Sequence, residues 1–181
     1  VMTGAGGKAF VSGADISEFE ERRSSPELIA EYNEVGRQVS AAFEKLEKPL
    51  IAMIQGFCMG GELATALKAD MRFASDDSQF GIPAIKLGLG YEASAVKALT
   101  DFVGPAYAGE ILKTGRRFNA DEALRMGLVN NVVSVDKLEE TVMETASAIA
   151  AAAPLTVRSM KANVRATRLD ADQRDDAHPQ E

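Results

Sequence analysis

The 181 residues read as an α/β protein. Short, continuous apolar runs of strand length alternate with longer segments whose apolar residues recur every three or four positions, the helical period. Glycines mark the places where strands give way to helices, and capping residues stand at helix starts. Strands and helices taken in alternation define this class.

The elements follow in order. Val1-Met2-Thr3 is a strand running into Gly4-Ala5-Gly6-Gly7. Ser25-Pro26 predicts a helix start, with Ser as N-cap and Pro at the first helical position. Leu28, Tyr32, Val35, Val39, Phe43 and Leu46 fall on one face, which is expected to be buried, and Lys48-Pro49 ends the helix. Residues 50–54 are an unbroken apolar run, suited to a strand covered on both sides. Gly56 opens a turn, and Gly60-Gly61 leads into the helix formers that start at Glu62. Residues 71–74 form a short strand, and residues 91–114 predict two helices broken near Gly104-Pro105. Asn119 and Glu122 have the spacing of a capping box, with Gly127 at the C′ position. A strand over 128–133 and helices over about 136–152 and 154–167 complete the pattern.

With no repeat, low-complexity stretch or linker, residues 1–169 read as one domain and 170–181 as a polar tail. Both ends look cut. A strand and a covering helix are expected to lie outside the chain, which would leave residues 50–54 and the helix carrying Val35, Val39 and Phe43 with exposed apolar faces.

Composition narrows the function. Hydrophobic residues make up 46% and charged residues 26%, as in globular domains. Twenty Lys+Arg against 27 Asp+Glu give a net charge of -7, which argues against a nucleic-acid partner. No run reaches the roughly 18 apolar residues that span a bilayer, and no signal peptide is visible, so no membrane partner is expected. A lone cysteine, Cys58, suggests a reducing compartment and a cytoplasmic location. The single histidine, His178, stands in the polar tail, which removes Ser-His and Cys-His nucleophile pairs and His-based zinc sites from the expected chemistry.

Two glycine-containing turns stand out. One is Lys8-Ala9-Phe10-Val11-Ser12-Gly13-Ala14-Asp15-Ile16; the other runs from Ile51 through Gln55-Gly56-Phe57-Cys58-Met59-Gly60-Gly61-Glu62 to Ala64. The second follows a strand and opens a helix. Unpaired N–H groups at a helix start suit a developing negative charge. Neither turn has the spacing of a nucleotide-binding glycine motif. Singly, each is explained as a strand-to-helix connection that needs glycine.

Together they resemble the enoyl-CoA hydratase/isomerase (crotonase) family. Residues 9–16 are similar to its first signature, and Gln55-Gly56-Phe57-Cys58-Met59-Gly60-Gly61 through Ala69-Asp70 to its second. Gln79-Phe80-Gly81-Ile82-Pro83 with Leu87-Gly88 is similar to the third, and Ala120-Asp121-Glu122-Ala123-Leu124-Arg125-Met126-Gly127-Leu128-Val129 to the fourth. The resemblance covers almost the whole chain. It implies a crotonase-type spiral of βαβ units with C-terminal helices used in trimer contacts, and a homotrimer or hexamer for the full-length protein. It implies an acyl-CoA thioester as substrate, with no metal or redox cofactor, since CoA enters as part of the substrate. It also implies an oxyanion hole made by the backbone N–H groups of Ala14 and Gly61. Gly13, Asp15, Ile16, Ser17, Phe57, Gly60, Ala64, Ala84, Leu89 and Glu92 are then expected around the substrate.

The sequence departs from the family at two places. The hydratases of the family carry two water-activating glutamates, and Ala64 and Ala84 stand at those positions. This argues against hydration by the usual two-glutamate route. Tyr91 and Glu62 are the remaining catalytic candidates, with Asp15 and Glu92 beside them. Tyr91 stands three residues after Gly88, where related decarboxylases have a tyrosine, which opens a malonyl-type acyl-CoA decarboxylase as an alternative. Packing explains Tyr91 equally, and helix-start complementarity explains Glu62 and Glu92. A non-catalytic acyl-CoA-binding subunit, or an inactive fragment, is the other alternative. Arg158 and Lys161 share a helix face, either as solvated charges or as partners for a CoA phosphate.

Overall fold

The computed structural model describes residues 1–13, 25–60, 63–91 and 93–169. Among them the α/β reading holds. The order is β1 (Met2–Thr3), β2 (Ala9–Val11), α1 (Pro26–Glu44), β3 (Ile51–Ile54), β4 (Phe57–Met59), α2 (Leu63–Leu67), β5 (Met71–Ser75) and β6 (Gln79–Gly81). A 3₁₀ turn (Pro83–Leu87), α3 (Ala93–Thr114), β7 (Phe118–Asn119), α4 (Ala120–Arg125), β8 (Asn131–Val133), α5 (Val135–Ala150) and α6 (Pro154–Ala166) follow.

The strands form two four-stranded sheets, ordered β1-β3-β5-β8 and β2-β4-β6-β7. The first is parallel throughout, and in the second only the β6–β7 pair is antiparallel. Each of β1, β3 and β5 is followed, after a few residues, by its counterpart in the second sheet, so the chain turns a corner once per winding. At the middle corner Gly56 takes φ +68, and a Cβ there would sit 2.2 Å from the Lys8 carbonyl oxygen. Glycine is required both for the left-handed backbone and for the contact. The corners then stack by hydrogen bonds: the Phe57 N–H donates to Lys8 O at 3.2 Å and the Gln79 N–H to Gly56 O at 3.0 Å.

Residues 50–54 are unbroken in apolarity because β3 is covered on both faces. Ile51 packs with Phe73, Leu138 and Val142 beneath α5. Ala52 and Ile54, fully buried, face the main core, where Phe80 stacks on Phe118 with centroids 5.7 Å apart. This corrects the expectation that this run has an exposed apolar face: α5 supplies the cover.

For α1 the periodicity identifies the apolar stripe correctly, but the stripe is not buried. Val35 is 55% exposed and Val39 51%, and α1 has no buried residue. An apolar period states which side of a helix prefers cover and says nothing of whether this chain provides it. The cap is as expected, with Leu28 N–H donating to Ser25 Oγ at 3.3 Å. The helix ends earlier, at Glu44, where Arg165 of α6 donates to the Phe43, Glu44 and Leu46 carbonyls.

The capping box at Asn119 and Glu122 forms, and Gly127 takes φ +78 just past α4. The strand expected over 128–133 is shorter, since Leu128 and Val129 hydrogen-bond back to Ala123 before β8 begins. Three segments without a strand reading, β2, β4 and β6, are strands of three residues each.

Candidate active site

The second sheet arranges the site. β2, β4 and β6 are neighbours and parallel, so their carboxyl ends share one edge. From that edge Val11 continues into Ser12-Gly13, Met59 into Gly60, and Gly81 into Ile82-Pro83. Adjacent strands lie about 4.8 Å apart, so the three segments leave the sheet side by side. Ligands of α/β proteins bind outside the carboxyl ends of parallel strands. A register shift between Ala9 and Val11 marks a bulge in β2 at this rim.

Gly60 turns β4 into α2 with φ +81; its N–H donates to Gly81 O at 2.9 Å and its carbonyl accepts from Leu63 N–H at 3.2 Å. The Gly60 amide is thus occupied by the sheet edge. Gly13, two residues past β2, takes φ +109. Ala14, Asp15, Ile16, Ser17, Gly61, Glu62 and Glu92 lie outside the described residues.

Beyond β6 the chain forms the 3₁₀ turn, which ends on Gly88 in the left-handed conformation at φ +66. Ala84, Ile85, Gly88, Leu89, Gly90 and Tyr91 from this turn, with Val96 and Leu112 of α3, line a cleft of about 310 Å³. The structure therefore brings together Ala84, Leu89 and Tyr91. Ala84 is buried, while Leu89 and Tyr91 are half-buried and pack against the main core. Ala64 is half-buried on α2, a helix packed on α3, and does not line the cleft. Phe57 stands apart from it, 42% exposed, with the Arg117 guanidinium 5.5 Å from its ring centroid.

Sequence reasoning missed Val96 and Leu112. The break at Gly104-Pro105 was readable, but not that residues on both sides of it line one cleft.

Three further groups resolve. Cys58 is fully buried in β4, and burial pushes its thiol up to about 12, so it remains protonated and inert. Lys161 is not a free cation: its ammonium lies 2.8 Å from Asp70 Oδ2 and donates to Lys48 O at 2.6 Å, with the side chain 5% exposed. Arg158 pairs with Glu47 at 2.5 Å on the surface. Among the described residues, no cluster of three or more His, Cys, Asp or Glu side chains could hold a metal, and no helix is long and apolar enough to cross a membrane.

Comparison with known proteins agrees with this layout. Residues 1–178 match the family model described as Enoyl-CoA hydratase/isomerase. A short-chain-enoyl-CoA hydratase of Clostridium acetobutylicum is 39% identical over 161 residues, covering 89% of this chain and 61% of that protein. A carnitinyl-CoA dehydratase of Proteus mirabilis is 39% identical over 167 residues, covering 92% of this chain and 63% of that protein. The crystal structure of an enoyl-CoA hydratase/carnithine racemase from Magnetospirillum magneticum superposes with a TM-score of 0.88 at 36% identity, covering 97% of this chain and 67% of that one. The chain thus spans about three-fifths of the length of the curated relatives it matches.

Proposed function

The chain belongs to the enoyl-CoA hydratase/isomerase family, and from that premise we propose an acyl-CoA enzyme that stabilises a thioester enolate in a backbone oxyanion hole. The observation that carries the proposal is the shared carboxyl edge of β2 and β4. The described chain leaves that edge as far as Gly13 after β2 and Gly60 after β4, the residues that precede Ala14 and Gly61 in the sequence, and the cleft containing Tyr91 takes in the turn that follows β6.

In this reading the thioester carbonyl oxygen sits between the Ala14 and Gly61 N–H groups. Charge moves onto that oxygen when a proton leaves the acyl α-carbon or an enolate is otherwise formed. One such donor contributes about 3 kcal/mol or more in the transition state. Glycine at 60 lets a ligand approach the backbone closely. Tyr91, Glu62 and Glu92 are the proposed proton-handling groups, and CoA is carried by the substrate rather than held as a cofactor. Assembly into a homotrimer or hexamer is proposed with it, supported by the apolar side chains that α1 and α6 turn outward.

Ala64 and Ala84 stand where the family's hydratases have glutamates, so slow hydration is proposed as well. Each lost acid/base group typically costs a factor of about 10² to 10⁴. A crystal structure with a bound acyl-CoA tests the site: the carbonyl oxygen should lie roughly 3 Å from both N–H groups. A thioester bound elsewhere, or Ala14 and Gly61 nitrogens more than about 10 Å apart, would reject it.

A further inference from the structure

The carboxyl end of β6 has a close neighbour. Residues 115–117 join α3 to β7 and lie beside Gly81, just past the pairing of Phe80 with Phe118. The approach is tight. A Cβ on Gly81 would sit 2.9 Å from Arg116 O, and one on Gly115 would sit 2.9 Å from Ile85 Cγ2 and 3.5 Å from Pro83 Cα. Two glycines thus bring this crossing against the start of the 3₁₀ turn.

The crossing is Gly115-Arg116-Arg117, so it brings no apolar side chain of its own. Its polar anchoring is dense. Arg116 Nε and Nη2 both donate to Glu110 Oε1 of α3, at 2.8 and 2.6 Å, and Nη2 also lies 2.9 Å from Glu122 Oε1 of α4. Arg116 Nη1 donates to Arg117 O at 3.1 Å, and the Arg116 N–H to Thr114 Oγ1 at 3.2 Å. The other Glu122 oxygen accepts the Asn119 N–H of the capping box. A lone exposed ion pair contributes little, whereas several charges in one network can hold a geometry.

Resting on the acyl-CoA reading above, we infer that Arg116 is a positioning residue: its triad with Glu110 and Glu122 holds the backbone of 115–117 against Gly81 and Pro83, and so fixes the 3₁₀ turn that carries Ala84 and leads to Leu89 and Tyr91. The turn closes on the Leu89 N–H, which donates to Ala84 O at 3.1 Å. Arg116 does not line the cleft, so it acts through the turn.

Amide hydrogen exchange at Leu89 tests the positioning in the protein alone. Deuteration of the α-carbon of butyryl-CoA in D₂O tests its effect on the reaction. Arg116→Gln should speed Leu89 exchange about tenfold while the β3 amides keep their protection. Deuteration at saturating butyryl-CoA should fall about tenfold or more, with the Kd for butyryl-CoA changed by less than about twofold. Arg116→Lys, a point charge without the planar fork, should recover part of both. Glu122→Gln can retain the capping box and should still loosen the turn. Wild type in about 1 M salt, where the screening length is about 3 Å, should behave like Arg116→Gln. Leu89 protection unchanged in Arg116→Gln and Glu122→Gln would overturn the inference, as would a loosened turn with undiminished deuteration. If wild type deuterates no butyryl-CoA, the acyl-CoA reading falls, and Leu89 exchange still decides whether Arg116 holds the turn.

Discussion

At the scale of single residues, burial decides chemistry more than residue type does. Cys58 has the nucleophile's atom but not its environment. Burial disfavours its thiolate, so the folded chain holds the thiol well above its ordinary value of 9.0. The linkage sign follows: the group's contribution to stability is fully present below about pH 9 and is lost as pH rises from there toward 12. Alkylation of the native protein at pH 8 should therefore be slow and become fast only on denaturation. Cys58→Ala should flatten the alkaline decline of stability between pH 9 and 12, and rapid labelling of the native state would contradict the burial. Tyr91 is the opposite case, a half-buried phenol lining the cleft. Tyr91→Phe retains the ring's apolar area and deletes only the phenol, and kcat on the true substrate should fall by about 10² if the phenol transfers a proton. An unchanged kcat would leave the ring as packing.

At the scale of elements, α6 is held by cations rather than by apolar contact. Lys161 is its buried residue, while Leu155, Met160 and Val164 are 79%, 60% and 65% exposed. Asp70 Oδ2 accepts both from Lys161 and from the Leu50 N–H at 2.7 Å, so one carboxylate joins α6 to the approach to β3. Lys161→Met removes one partner of a largely buried pair and should destabilise the fold by about 3 kcal/mol in denaturant unfolding. Loss below about 1 kcal/mol would mean that α6 is not docked through this pair. None of this was visible in the sequence. Lys161 lies far along the chain from both Lys48 and Asp70, and helical spacing alone suggested a solvated or phosphate-facing row. What was legible was local: the caps at Ser25 and Asn119, the break at Gly104, and the apolar run of β3 all follow from side chains within a few residues. The three-residue strands β2, β4 and β6 were not, because they exist only through their neighbours across the sheet. The turns bearing Gly13 and Gly60 were found by their glycines, while their meeting at one site was expected only through the family resemblance and not from the residues of either turn.

At the scale of the whole molecule, apolar side chains among the described residues are turned outward on α1, at Leu28, Ile29, Val35 and Val39, and on α6. Exposed apolar patches favour association. Size-exclusion chromatography should therefore show concentration-dependent assembly, and Val35→Lys with Val164→Lys should reduce it; a monomer at every concentration would show that these faces stay in water. The chain belongs to the enoyl-CoA hydratase/isomerase family, and the acyl-CoA chemistry proposed for it is assigned to the carboxyl edge of β2, β4 and β6. An enolate is proposed to form there. The direct measurement is deuterium incorporation at the acyl α-carbon of a bound saturated acyl-CoA in D₂O. Exchange should be proportional to protein concentration and abolished by Gly61→Pro while acyl-CoA binding persists. Saturating binding with exchange no faster than the protein-free background would contradict it.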